Sequence, residues 1–354
     1  RRRNNVIRFD ARFIKYPFEN GLNGLSPEDR FECLNSYLNN DHPEPTNFKE
    51  WLYHAFGTGI AEKYLIPYNE KIWNIPAEEM AFDWAEERVP RPPAEDVIKA
   101  AVGVETEGYT HQLHFNYPEK GGIEALPVAL AGKCGSIISN FTVSKVWRES
   151  NGWRVGDGRE VRNFDKIVST IPVLALIEAL DGVPDEIAEC ARALKHNSLI
   201  VVMLGFECAE AVPYTAVYVP DPSLAFHRLS FPLNFTPHGA PPGCAAVAAE
   251  ITTNPGDGVH DLGDGEVTEL VVEGLSAMGL IDAGKINFRH VSRTRHAYVL
   301  RTFDYGENLA RVLGYLDGLG IVSLGRNAEF EYINMDEAVR RAIEAAGRLD
   351  GEDG

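Results

Sequence analysis

The sequence predicts an α/β protein of α+β character, in which a helical lobe accompanies an antiparallel sheet. Two patterns predict it. Capped segments of helical period crowd residues 24–103, and β-rich runs divided by Pro, Gly and Asn turns recur at spacings of roughly ten to thirty residues across 195–305. A third stretch, 118–194 with 306–354, mixes short strands with helices.

The elements follow in order. Val6–Phe9 and Arg12–Ile14 read as two short strands joined by Asp10-Ala11. Ser26-Pro27-Glu28-Asp29 combines an N-cap, a proline at the first helical position and acids in the first turn, so a helix starts there. Thr46-Asn47 starts a second helix through Trp51, Phe56 and Ile60, and Pro93-Ala94-Glu95-Asp96 a third. Tyr109–Phe115 reads as a strand, and Pro118–Gly122 as a turn into a helix over Ile123–Ala131. Thr142–Trp147 and Gly152–Val155 form a meander expected to close on Lys166–Thr170. Strands are expected at Ser198–Leu204, Ala216–Val219, Phe226–Ser230, Ala245–Ile251 and Lys285–Val291. Ile321–Leu324 is a buried-type strand before Gly325, and Met335–Leu349 an amphipathic helix. The expected domains are a helical lobe at 24–103, a sheet domain for substrate at 1–23, 104–117 and 195–305, and a third at 118–194 and 306–354.

Composition bounds the function. The 354 residues are 44% apolar, and 34 Lys and Arg against 52 Asp and Glu leave a net charge of −18. Such acidity argues against a nucleic-acid partner, which requires a basic stripe to displace counterions. No run of about 18 apolar residues is present, which rules out a spanning helix, and no membrane partner is expected. Cys33, Cys134, Cys190, Cys208 and Cys244 stand singly, with neither a zinc spacing nor a disulfide framework, so a reducing, cytoplasmic setting is expected. A polyanionic substrate requires a local cationic pocket or a metal on so acidic a chain.

Three segments together resemble the flavin-dependent UDP-galactopyranose mutase family and its protoporphyrinogen-oxidase-like relatives. They are Tyr16-Pro17-Phe18-Glu19-Asn20; Pro67-Tyr68-Asn69-Glu70-Lys71-Ile72-Trp73 with Arg88 beyond it; and Gly325-Arg326 followed by Phe330-Glu331-Tyr332-Ile333-Asn334-Met335-Asp336. Pro118–Gly122 and Val168-Ser169-Thr170-Ile171-Pro172 look like flavin-domain elements of that family, so the resemblance makes 118–194 and 306–354 the remnant of a Rossmann-like FAD domain. The departure is at the front, where the family has a strand, a Gly-x-Gly-x-x-Gly turn and a helix for the flavin pyrophosphate. The nearest string, Gly57-Thr58-Gly59-Ile60-Ala61-Glu62, lies in the helical lobe and does not follow a strand. Either the flavin-binding unit was trimmed from this sequence or the protein works without FAD; the second is the expectation.

The resemblance also assigns residues. Tyr16, Phe18, Glu19 and Asn20 fall at the base end of the nucleotide. Glu19 replaces a family amide, and an acceptor-only carboxylate fits guanine's N1–H and N2–H₂ donors better than uracil's edge; alternatively Glu19 caps a turn. Arg88 aligns with an arginine that clamps the diphosphate, or pairs with Glu86 or Glu87. The family's second such arginine is missing near Phe206-Glu207, which leads to the expectation of a divalent cation (Mg²⁺ or Mn²⁺), with His111, Glu105 and Glu107 neighbours in sequence but no ligand set assigned. Asn69 and Trp73, four apart on a helix, match substrate-side positions, with core packing open for Trp73. Arg326, Tyr298 and Tyr332 match positions near diphosphate and sugar, and Asn334, Met335 and Asp336 resemble flavin contacts; Asn334 can also bind substrate or start a helix. Tyr298, Tyr332 or His111 is the expected general base at the sugar O4. The basic cluster His290, Arg293, Arg295 and His296 is a solvated strand end or a phosphate-facing edge.

The expected function is therefore a mutase interconverting pyranose and furanose forms of a nucleotide-diphosphate hexose. GDP-L-galactose or GDP-L-fucose is favoured, then UDP-galactose, without flavin and with a metal on the diphosphate. The alternatives are an FAD-dependent UDP-galactopyranose mutase, an amine-oxidase-like oxidoreductase, and a non-catalytic nucleotide-sugar-binding protein.

Overall fold

The computed structural model describes residues 1–89, 91–106, 113–208, 210 and 212–352. In chain order its elements are β1 (Asn5–Phe9), β2 (Arg12–Lys15), α1 (Pro27–Leu38), α2 (Phe48–Ile60), α3 (Ile66–Trp73), α4 (Ala85–Arg88), α5 (Ala94–Ala101) and α6 (Ala125–Ala131). There follow β3 (Lys145–Glu149), β4 (Gly152–Gly156), β5 (Val161–Phe164), β6 (Ile167–Ser169), α7 (Val173–Ala179), α8 (Asp185–Ala193), β7 (Lys195–Glu207), β8 (Ala216–Tyr218), β9 (Arg228–Ser230) and β10 (Cys244–Thr253). The last are α9 (Asp264–Ala277), β11 (Ile286–Leu300), α10 (Tyr305–Gly318), β12 (Ile321–Ser323) and α11 (Met335–Glu352). They divide into two units, Arg1–Cys134 with Asn197–Arg295, and Gly135–His196 with His296–Gly354.

The first unit is built on a seven-stranded sheet in the order β11-β7-β10-β9-β8-β1-β2. It is mixed rather than purely antiparallel, because β1 pairs parallel with β8 through Asn5↔Ala216 and Ile7↔Tyr218. Strand period explains its core. Ile200, Val202, Leu204 and Phe206 alternate along β7 and are buried with Val267, Val271, Val272 and Leu275 of α9. Removing one such side chain, for example Leu204→Ala, costs about 2–5 kcal/mol.

The helical lobe belongs to the same unit. The Asn47 side chain accepts from the Glu50 N–H, and Glu50 reaches back to the Thr46 N–H at 2.8 Å, so the first turn of α2 is closed from both sides. A π-turn at Ala61–Leu65 carries α2 into α3. Gly57 and Gly59 serve close helix packing: a Cβ on Gly57 would meet the Ser36 carbonyl oxygen at 2.3 Å, and one on Gly59 the Cys33 Cα at 2.8 Å. The far end of α3 is anchored by Asn197 Nδ2, which donates to the Trp73 carbonyl at 2.6 Å, and by Thr252 Oγ1, which donates to the Lys71 carbonyl at 2.8 Å.

The second unit holds the meander β3-β4-β5 and a parallel pair, β6 with β12. This corrects the expectation that residues 166–170 close the meander. Val161–Phe164 closes it, and Ile167–Ser169 pairs with Ile321–Ser323 instead. Its uninterrupted Ile-Val run suits a parallel strand better than a two-faced meander. A separate core gathers Val146, Trp153, Leu176, Ile187, Val312 and Leu316. Most of the strand expected at Tyr109–Phe115 lies outside the described residues. Among the described residues no helix is long and apolar enough to cross a membrane.

Candidate functional site

The predicted residues fall into two groups, one in each unit. In the first unit, Tyr16 lies at the end of β2 and tilts against Tyr218 of β8, ring centroids 4.6 Å apart. The β1–β8 pairing supports that contact, since Ile7 lies opposite Tyr218. Tyr218 meets Tyr68 edge-on at 5.5 Å, Tyr68 stacks on Tyr64 at 5.4 Å, and Tyr64 stacks on Phe18 at 5.1 Å. Tyr16, Tyr68 and Tyr218 are half-buried, so the ladder has a partly open end and a closed one. Phe18 is at the closed end, fully buried, with Phe9 against its edge and Tyr64 on its face; its ring serves the core rather than base stacking.

Glu19 and Asn20 follow Phe18 on a short 3-10 turn, and both are buried. Asn20 Oδ1 has no hydrogen-bond partner among the described residues. Burial pushes the Tyr64 phenol well up, and the Tyr68, Tyr16, Tyr218 and Glu19 groups add to the shift. Asn69 and Trp73 satisfy one another: Trp73 Nε1 donates to Asn69 Oδ1 at 3.1 Å, and Asn69 Nδ2 donates to the Leu65 carbonyl at 2.7 Å. Their polar atoms are thus engaged inside α3, where four-residue spacing put them on one face. Arg88 is exposed at the last position of α4. Lys71, absent from the sequence-derived site, donates to the Val219 carbonyl at 2.9 Å and the Asp221 carbonyl at 2.5 Å. Burial lowers its amine to about 7, with Asp221 opposing the shift.

In the second unit three predicted residues come together. Arg326 lies with its guanidinium carbon 4.2 Å from the Tyr332 ring centroid and 5.3 Å from that of Tyr298. The two tyrosine rings are 5.8 Å apart. Arg326 donates to the Ala297 carbonyl at 3.2 Å and the Ile333 carbonyl at 3.4 Å, and among the described residues no carboxylate pairs with it. A guanidinium held by ring faces and carbonyls keeps its full charge for an anion.

Beside this group the parallel pair ends. Ser169 and Ser323 stand opposite each other at the carboxyl ends of β6 and β12, and both hydroxyls are buried without a partner among the described residues. Gly325 follows at φ 86°, with open space where a Cβ would stand. The carboxyl ends of parallel strands are where α/β units take ligands. Asn334 is exposed immediately before α11, its carbonyl accepting from the Ala338 N–H in the first turn.

The remaining expectations divide. His111 lies outside the described residues. Among the described residues no group of three His, Cys, Asp or Glu side chains could hold a metal ion, so nothing supports the expected divalent cation. Arg293 of the basic cluster lies in the middle of β11 rather than at a strand end; it pairs with Asp264 at 3.0 Å and donates to the His260 and Leu262 carbonyls, while His296 packs on His196 with ring centroids 4.2 Å apart.

Among solved structures the fold is similar to that of reduced UDP-galactopyranose mutase, with a TM-score of 0.89, 23% identity, and 99% of this chain covering 77% of that one. It is also similar to cyclohexylamine oxidase from Brevibacterium oxydans, with a TM-score of 0.63, 14% identity, and coverage of 99% and 81%. A CLA-producing fatty acid isomerase from P. acnes matches with a TM-score of 0.58, 15% identity, and coverage of 98% and 79%. At these identities the likeness establishes the fold. The family model that matches is that of flavin containing amine oxidoreductases, over residues 30–349. A flavin-containing family runs against the flavin-free chemistry expected from the missing glycine turn. Matched along most of its length, the chain belongs to the flavin-containing amine oxidoreductase family.

Proposed function

We propose that this protein is a flavin-dependent mutase that interconverts ring forms of a nucleotide-diphosphate sugar. The observation that carries the reading is Arg326, set against two tyrosine faces and free of carboxylate partners among the described residues, on a chain with a net charge of −18. Likeness to UDP-galactopyranose mutase supports it. Membership of a flavin family replaces the metal-assisted route with a flavin-assisted one.

The residues present fit that cofactor on one side. The unpartnered Ser169 and Ser323 hydroxyls, the open Gly325 backbone and the start of α11 would hold it. When bound, the flavin supplies the electron-rich partner for the anomeric carbon. Arg326 takes up the charge of the departing diphosphate, and Tyr298 or Tyr332 exchanges the proton at O4. A second reading, flavin-dependent amine oxidation, is favoured by the family match itself.

One experiment separates them. Full-length protein is examined for a flavin spectrum, reduced with dithionite, and supplied in turn with UDP-galactose, GDP-L-galactose and GDP-L-fucose. Furanose product from any of these, dependent on reduction, is the expected result. A bound flavin that yields peroxide from amines and no furanose sinks the mutase reading and selects the oxidase.

A further inference from the structure

The loop that carries Arg326 and Tyr332 is tied to α11 by one side chain. Arg341 Nη1 meets Glu329 Oε1 at 2.9 Å, Nη2 meets Glu331 Oε2 at 2.8 Å, and Nε meets Glu337 Oε1 at 2.8 Å. Each edge of the guanidinium holds a different carboxylate. Glu329 spends its second oxygen on the loop itself, since Oε2 accepts the Gly325 N–H at 2.6 Å. That N–H belongs to the residue before Arg326, at the left-handed turn that sends the chain into the site. Polar contacts therefore run from Arg341 through Glu329 to the Gly325 N–H, one peptide bond before Arg326 and its tyrosine faces.

Physical chemistry explains why an arginine is needed. Three carboxylates gathered at one place repel one another, and a compact ammonium cannot engage three acceptors in fixed, coplanar directions as a guanidinium can. These side chains are partly shielded, so the network is stiffer than a solvated ion pair. Neighbouring Arg340 shares Glu337 with Arg341 and meets Glu344, both on α11, and among the described residues it touches neither Glu329 nor Glu331 of the loop.

We propose that Arg341 is a positioning residue of the nucleotide-sugar site, holding the Gly325–Asn334 loop so that Arg326 stands ready for the diphosphate. The inference rests on the nucleotide-sugar reading above. Arg341 then affects ligand binding only by way of Arg326.

The test is a double-mutant cycle on the full-length protein, read by calorimetric binding of UDP. Arg326→Ala should weaken UDP by roughly thirtyfold and Arg341→Gln by roughly tenfold. In the Arg326→Ala background, Arg341→Gln should add less than about twofold. Arg341→Lys should lose nearly as much as Arg341→Gln, and Arg340→Gln should bind as wild type. Glu329→Gln, which keeps an acceptor for Gly325 and the other two Arg341 contacts, provides the milder variant should Arg341→Gln fold poorly. Its smaller loss should likewise vanish in the Arg326→Ala background. A loss at Arg341 or Glu329 that persists undiminished without Arg326 overturns the positioning role while leaving the site reading intact. Unchanged UDP affinity in Arg326→Ala overturns the site reading, and this inference with it.

Discussion

His227 is 1% exposed, and among the described residues neither ring nitrogen makes a hydrogen bond; Glu250 Oε2 lies 3.9 Å from Nε2, and that carboxylate is already paired with Arg228 at 2.6 Å. Burial holds the imidazole well below its ordinary range, and the positive charges of Arg228 and Lys71 act in the same direction. The folded state therefore refuses a proton that the unfolded chain accepts below about pH 6.5. Stability from this residue is present above that pH and falls as the solution is acidified. Urea unfolding between pH 5 and 8 should show wild type losing up to about 1.4 kcal/mol per pH unit relative to His227→Leu below pH 6.5. Parallel profiles for the two proteins would remove the assignment. The isolated histidine carries no such signal in the sequence, because its depressed proton affinity comes first from burial, which residues remote in the chain create, and then from Arg228 and Lys71.

At the scale of elements, two glycines should respond oppositely to the same change, one at a non-helical kink inside α2 and one in the regular helix α11. Gly57→Ala places a methyl 2.3 Å from the Ser36 carbonyl oxygen at a backbone φ of +71°. It should destabilise by about 2 kcal/mol or more, since a backbone atom cannot give way. Gly347, exposed in α11 with nothing within 4 Å of its Cβ position, should gain about 0.5–1 kcal/mol as Ala. Thermal unfolding of both variants checks the pair, and a gain at Gly57 would show that the close α1–α2 packing is not maintained. The same elements show what the sequence made legible. Ser26 and Asn47 reveal helix starts because a cap acts within three residues of itself. The partner of β6 is a strand about 150 residues on, so its parallel pairing is not a local property. Tyr64 and Tyr68 share a helix face and could have been anticipated, whereas Tyr218 joins them only through the β1–β8 pairing.

Across the whole molecule, the Arg326 group was legible because Gly325-Arg326 and Tyr332 lie in one short motif. Arg341 was not, since an arginine on a charged helix resembles any solvated residue until the loop folds over it. Global acidity was legible from composition, and it bears on how fast an anion reaches Arg326. Arg326 acts over a few ångströms, whereas the net charge of −18 sets the field farther out. On the mutase reading, a nucleotide diphosphate would approach against repulsion and be held only on arrival. Raising ionic strength from about 20 to 150 mM shortens the screening length from roughly 20 to 8 Å and should weaken the repulsion more than the contact. Stopped-flow association of UDP should accordingly speed up with salt, the reverse of a basic cleft that steers its ligand. A rate that falls with salt would mean that cations beyond Arg326 govern the approach. On the expected outcome, this protein trades speed of capture at low ionic strength for exclusion of stray polyanions, and crowded, salty surroundings are where it would work fastest.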